Sequence, residues 1–220
     1  MTATQKGYKG MGMEGRMAFW YADNTGRDQR RFASASQLIA ERTPAGAEVL
    51  EVAPGPGYLA ILMARSGRRV TALDISKTFI DIGRENARNA GVAIEFRHGN
   101  ASAMPFDGAI FDYIICMAAF KNFADPIGAI NEMHRVLKPG GQASILDLRK
   151  DVSMKEIRNE VENMRLSRWS AFVTRLTFRF LLLKRAYTPE DLERMMKASD
   201  FRRWEIKSEG VGFELHMFKE

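Results

Sequence analysis

A single cysteine, Cys116, cannot close a disulfide within the chain, and the three histidines form no Cys/His cluster at metal-ligand spacing. These absences point to a reducing compartment and predict no metal. No apolar run reaches the roughly 18 residues that cross a bilayer, and Met1 to Gly15 lack the apolar stretch of a secretory signal. The expectation is therefore a cytoplasmic protein that is not integral to a membrane. Charge of one sign is scarce as well: 33 basic against 27 acidic residues leave +6, which suits an anionic substrate, a membrane surface or RNA without choosing among them. No internal repeat is found, and with 18 glycines and 7 prolines in 220 residues the chain is neither collagen-like nor low-complexity.

A 45% hydrophobic and 27% charged composition belongs to a globular chain, and 220 residues suit one core with added surface elements. Short β-branched apolar runs at Glu48–Ala53, Arg69–Asp74, Ala93–Arg97, Phe111–Cys116 and Gln142–Leu148 alternate with helical patterns, which predicts βαβ units around a parallel sheet. Ser76 is a good N-cap and Gly91 a good stop for the helix between the second and third runs. Lys138-Pro139-Gly140-Gly141 reads as the turn that ends another helix and feeds the fifth strand. Thr188-Pro189-Glu190-Asp191 opens a late helix, and Arg203–Lys207 with Val211–Phe218 read as an antiparallel pair. One domain is expected, with a glycine-rich arm or lid over 1–35, a cofactor-binding core over 36–150, a helical cap insertion over 151–186 and a closing helix and hairpin over 187–220.

The strongest chemical signal follows the first strand, where Val52-Ala53-Pro54-Gly55-Pro56-Gly57-Tyr58 leads through a side-chain-poor turn into a helix. Gly55 and Gly57 let a ligand approach the backbone and the helix N-terminus. Seventeen residues past Gly57, Asp74 ends the second strand, where a carboxylate can accept hydrogen bonds from ribose hydroxyls. Turn and acid together indicate a nucleotide-like ligand, and this pair also satisfies a dinucleotide fingerprint. Against an NAD(P)-binding oxidoreductase, the chain has no Tyr-x-x-x-Lys arrangement and no spare substrate domain.

Taken together, Glu51–Gly57, Leu73-Asp74-Ile75, Gly99–Phe106, Phe111–Cys116 and Arg135–Gly141 resemble the class I S-adenosylmethionine-dependent methyltransferases, in their small-molecule, type 11-like branch, over about 40–150. The resemblance implies a Rossmann-like α/β fold: a seven-stranded, mostly parallel sheet with helices on both faces, an antiparallel final strand and a helical insertion after strand five. It implies S-adenosyl-L-methionine as cofactor. Glu51 would anchor the cofactor's amino acid end above Ala53, Gly55 and Gly57. Asp74 would hold the ribose, with Ile75 and Met117 alongside, and Asn100 and the Ala101 amide would meet the adenine. Two positions depart from the family pattern: Ala53-Pro54 stands where glycine and a small residue are usual, and Phe120-Lys121-Asn122 stands where many members show Leu-His-His.

Catalytic residues are left unknown. His98, His134 and His216 read as surface or structural, Cys116 as a small core residue, and Lys121 as a solvated or lid-contacting residue. Trp20 and Tyr21 in the arm, Phe120, and Trp169 and Phe172 in the insertion are candidate substrate or lid residues. Trp169, Phe172, Val173, Leu176, Phe180 and Leu183 recur at helical spacing beside Arg168, Arg175 and Arg179, and six basic residues with no acid lie between Arg165 and Arg185. Such a basic amphipathic segment suits a pocket cap, a homodimer surface or peripheral contact with anionic lipid. The partner expected is a small, hydrophobic substrate, not a nucleic acid: the Asn/Asp-Pro-Pro-aromatic motif of base methylation is missing after strand four. An RNA methyltransferase and a non-catalytic S-adenosylmethionine-binding protein remain the alternatives.

Overall fold

The computed structural model describes residues 7–9, 12–25, 29–163 and 182–220. Helices α1 (Arg16–Thr25) and α2 (Gln29–Arg42) precede β1 (Glu48–Val52), α3 (Tyr58–Arg65), β2 (Arg69–Asp74), α4 (Lys77–Ala90) and β3 (Ile94–His98). Then come β4 (Phe111–Met117), α5 (Pro126–Val136), β5 (Leu137–Leu148), α6 (Met154–Asn163), α7 (Pro189–Lys197), β6 (Arg203–Glu209) and β7 (Gly212–Phe218). The seven strands form one sheet in the order β3-β2-β1-β4-β5-β7-β6. Strands β1 to β5 are parallel, and β7 enters antiparallel between β5 and β6.

Side chains alternate across a strand, so each central strand feeds two cores. On one face Leu50, Val52, Ile114, Cys116, Ala143 and Ile145 pack with Ile130 and Met133 of α5 and Leu192 and Met196 of α7. On the other, Val49, Val70, Tyr113 and Ile115 pack with Ile39 of α2 and Leu59, Ala60 and Met63 of α3. Both faces are dry, which is why the strands read as continuous apolar runs. A buried polar cluster ties α2 to the sheet: Arg42 Nη1 donates to the Tyr113 hydroxyl (3.1 Å) and to Ser144 Oγ (2.8 Å) and pairs with Glu214.

The expected elements are present with shifted ends. Ala53 falls outside β1, β3 starts at Ile94, and β4 runs on to Met117. The expected turn Lys138–Gly141 is an irregularity inside β5: the strand begins at Leu137, directly after α5, and its register with β4 jumps between Phe111 and Tyr113. The expected end of the arm at residue 35 lies within α2, whose Ala35 and Ile39 pack together against the sheet. Trp169, Phe172, Val173, Leu176 and Phe180 lie outside the described residues. Among the described residues no helix is long and apolar enough to cross a membrane.

Candidate cofactor site

β1 is flanked by β2 on one side and β4 on the other, so successive connections leave the sheet's centre in opposite directions and open a crevice at the carboxyl ends of β1 and β4. The turn after β1 lines that crevice. Ala53 (φ 58°), Gly55 (φ 55°) and Gly57 (φ 79°) are all left-handed, which reverses the chain into α3 within five residues. Ala53 in this region costs roughly 1–2 kcal/mol, and its amide is held by the Leu73 carbonyl at 2.8 Å. Gly57 is the N-cap of α3 and offers no side-chain cap, so the helix presents its first amides to whatever occupies the crevice.

Glu51 is the polar exception on the α3 face of β1. It is 3% exposed, accepts a backbone hydrogen bond from Ala60, and its Oε2 has no partner. Burial, with the Asp74 charge adding to it, pushes its carboxyl up to about 8. Asp74, at the end of β2, is also buried but better supported: Oδ2 accepts from the Gly55 amide (3.1 Å) and Oδ1 from the Ser76 amide (2.8 Å). Its desolvation outweighs these bonds and raises it to about 6. The glycine turn and the acid are thus physically joined by the Gly55–Asp74 bond.

The arm crosses this crevice. Tyr8 bridges to Phe123, the Lys9 amide donates to the Asn122 carbonyl at 2.7 Å, and the Glu14 carboxylate accepts from the Lys77 (3.0 Å) and Thr78 (3.1 Å) amides at the start of α4. Gly7 passes so close to the 75 and 100 side chains that a Cβ there would lie 2.4 Å from Ile75 Cδ1 and 2.9 Å from Asn100 Cγ. Tyr21 lies over Gly55 and meets Phe79 edge-on at 5.7 Å between centroids. Burial raises the phenols of both Tyr8 and Tyr21, and each also senses the charges of Asp74 and Asp147. Of the expected pair, Tyr21 is turned inward and Trp20 is 65% exposed.

At the end of β4, Met117 is half-buried and Ala118 (φ 59°) turns the chain into the short helical turn Phe120–Asn122. Phe120 is fully buried, between Phe123 and Tyr187, each 5.5 Å away. Lys121 corrects its expected solvated position: it is 7% exposed, and its Nζ donates to Asp147 Oδ1 and to the Ala118 carbonyl, both at 2.7 Å. A lysine consumed in this way is no general base. Asn100 Oδ1 accepts from the Ser102 amide (3.1 Å) and hydroxyl (3.0 Å), shaping the loop that carries Ala101.

The histidines lie apart from one another. His98 bonds the Ile75 carbonyl, His134 packs edge-on against Phe201, and His216 bonds Gln142. Cys116 is fully buried, and its thiol is pushed well up by desolvation. Sequence reasoning missed Tyr8, Asp147 and Tyr187. Asp147 carried one readable signal, an acid inside an otherwise apolar strand; Tyr8 and Tyr187 carried none.

A family model described as a methyltransferase domain matches residues 50–145. A demethylmenaquinone methyltransferase of Chlorobaculum tepidum is 32% identical over 182 residues, covering 81% of this chain and 70% of that protein. One of the same name from Listeria welshimeri is 37% identical over 110 residues, 48% of this chain and 47% of its own, so the chain spans about half the length of that relative. In fold, the chain is similar to a SAM-dependent methyltransferase from Aquifex aeolicus, with a TM-score of 0.65 at 14% identity over 88% of this chain and 99% of the other. Sheet order, crevice and relatives agree: the chain belongs to the class I S-adenosylmethionine-dependent methyltransferase family.

Proposed function

We propose that this chain takes S-adenosylmethionine into the crevice and passes its methyl group to a small, largely apolar acceptor. The observation that carries the reading is the unpartnered Oε2 of buried Glu51. A buried polar atom without a bond costs about 1–3 kcal/mol, and an ammonium group supplies both the missing donor and the countercharge. In this reading Glu51 and the first amides of α3 hold the amino acid end of the ligand. Asp74 accepts from the ribose hydroxyls through lone pairs that its amide bonds leave free. Ile75 and Met117 flank the base, and Asn100 and Ala101 meet its edge, with the Asn100 oxygen shared with Ser102. Because Gly7 packs on Ile75 and Asn100, an entering adenine displaces the arm from that spot.

When bound, the cofactor supplies an electrophilic methyl carbon. In this reading the aromatic cluster of Phe120, Phe123 and Tyr187 backs the acceptor's side of the crevice, where water-poor surroundings strengthen the electrostatics. The raised phenols of Tyr8 and Tyr21 stay protonated near neutral pH, so they donate hydrogen bonds to an acceptor and take no proton from it. The names of the relatives make a demethylmenaquinone-like ring the first acceptor to try. So apolar an acceptor partitions into lipid, and the reading includes peripheral contact of a cytoplasmic protein with a membrane.

Labelled S-adenosylmethionine offered with quinol, phenolic and amine acceptors tests the reading: label transferred to one of them supports it, and binding without transfer to any favours a non-catalytic binder. A response to NAD or NADP without any to S-adenosylhomocysteine overturns it. Asp74→Ala is expected to bind S-adenosylhomocysteine at least about tenfold more weakly, about 1.4 kcal/mol by calorimetry. An unchanged heat would remove Asp74 from the site.

A further inference from the structure

A cavity of about 460 Å³ is lined by Lys9, Tyr187 and residues at the start of α7. Its lining includes Lys9, Lys150, Lys184, Arg185 and Arg194 and one acidic residue, Asp191. That carboxylate is already committed: it accepts from the Thr188 amide at 3.0 Å as part of the α7 capping box and pairs with Arg194. Among the described residues, no carboxylate pairs with Lys150 or Lys184. Five cations gathered around one concavity repel one another, and their fields add where a counterion would sit.

The walls are cross-braced. Lys9 Nζ donates to the Tyr187 hydroxyl at 2.7 Å and stands 5.1 Å over its ring. Arg185 Nη1 donates to the Lys9 carbonyl at 3.0 Å, and the Lys150 amide donates to the Tyr187 carbonyl at 2.9 Å. Buried Leu183 and Ala186 root this segment in the protein. Three stretches distant in sequence, the arm, the end of β5 and the approach to α7, are therefore held with their cations around one space. Of the basic run that the sequence places between Arg165 and Arg185, its last two members, Lys184 and Arg185, form part of this wall.

From this arrangement we propose that the cavity is an anion site that takes a phosphate or diphosphate group, distinct from the cofactor crevice. A multiply charged oxyanion matches the excess of cations better than a single carboxylate, because several N–H donors can each bond a different oxygen. The group can belong to a soluble phosphorylated molecule or to the headgroup of an anionic lipid. The inference does not depend on the reaction assigned to the cofactor crevice.

The test uses the full chain and the variant Lys150→Ala/Lys184→Ala, whose exposed side chains brace nothing in the wall. Inorganic pyrophosphate is titrated calorimetrically at low salt, and the protein is sedimented with phosphatidylglycerol and with phosphatidylcholine vesicles. S-adenosylhomocysteine is titrated on the same samples. Saturable pyrophosphate binding, or sedimentation that requires phosphatidylglycerol, is expected for the unmodified chain, at least about tenfold weaker in the variant with its heat for S-adenosylhomocysteine unchanged. Pyrophosphate binding without vesicle binding identifies a soluble ligand; vesicle binding alone identifies the headgroup. If the unmodified chain shows neither, or the variant binds equally well, the anion site is wrong. Loss of the S-adenosylhomocysteine heat in both proteins, with anion binding intact, counts against the cofactor reading and leaves this site standing.

Discussion

Glu51→Gln is expected to stabilise the ligand-free protein at pH 8.5 while weakening its binding of S-adenosylhomocysteine by about 10- to 100-fold, the worth of a hydrogen bond to a charged group. The two effects have one cause. The Glu51 carboxyl titrates near 8 in the folded protein against 4.5 for a free side chain, because burial strips its water and Asp74 adds a like charge. Between those values the folded state holds a proton that the unfolded chain has released, so stability falls as pH rises from about 4.5 to about 8 and levels off above. Glutamine does not titrate and escapes that loss. We expect it to gain at least about 1 kcal/mol at pH 8.5, or about 2–4 °C in Tm, and nothing below pH 4.5.

Binding moves the other way, since an ammonium ligand selects the ionised carboxylate. Affinity of the unmodified chain should rise with pH towards 8, whereas the Gln variant should be flat over the same range. Urea denaturation at two pH values and calorimetry across the series check both halves. A Gln variant that is no more stable at pH 8.5 would mean Glu51 is not held as the structure places it. One that is more stable but binds as well would leave the orphan oxygen without a role.

The second large effect is expected from Asp147→Ala. Its carboxylate lies under the crevice and receives three donors: Lys121 Nζ (2.7 Å), the Lys121 amide (2.9 Å) and the Leu148 amide (2.8 Å). The side chains of the pair are 1% and 9% exposed, so removing the acid strands a nearly buried ammonium and leaves two amides unpaired. Breaking one side of such a pair typically costs about 3–5 kcal/mol, here on the order of 10 °C in Tm. Replacing both partners, as Asp147→Leu/Lys121→Met, removes the stranded charge and should recover much of that loss. A loss below about 1 kcal/mol in the single variant, measured by denaturant titration, would show the lysine finding water and the pair contributing little.

Much of the architecture was readable because both faces of the sheet are covered, which leaves uninterrupted apolar strands such as Tyr113–Cys116. The helix over Lys77–Ala90 was readable from Ser76 and Gly91, which the structure uses as the predicted cap and stop. Lys138–Gly141 misled because proline and glycines signal a turn, whereas pairing of Leu137 and Gln142 with β4 on either side draws the segment into β5 with a local shift in register. Lys121 misled for a similar reason: a lone lysine after a strand is usually solvated, and nothing nearby in sequence reveals that Asp147, 26 residues later, lies beneath it.

By itself the sequence determined the order of elements, the bend at 53–57 and Asp74 at its strand end, because period, turn chemistry and strand ends are local properties, and the family resemblance added Glu51. Only tertiary structure decided that Asp74 is tied to Gly55, that Glu51 keeps an oxygen without a donor, that Tyr8 and Tyr21 lie over the crevice and that five cations surround one cavity. Those are relations between residues up to 185 positions apart, from Lys9 to Arg194. Long-range burial and charge depend on where the whole sheet brings the chain together, and no local pattern encodes that.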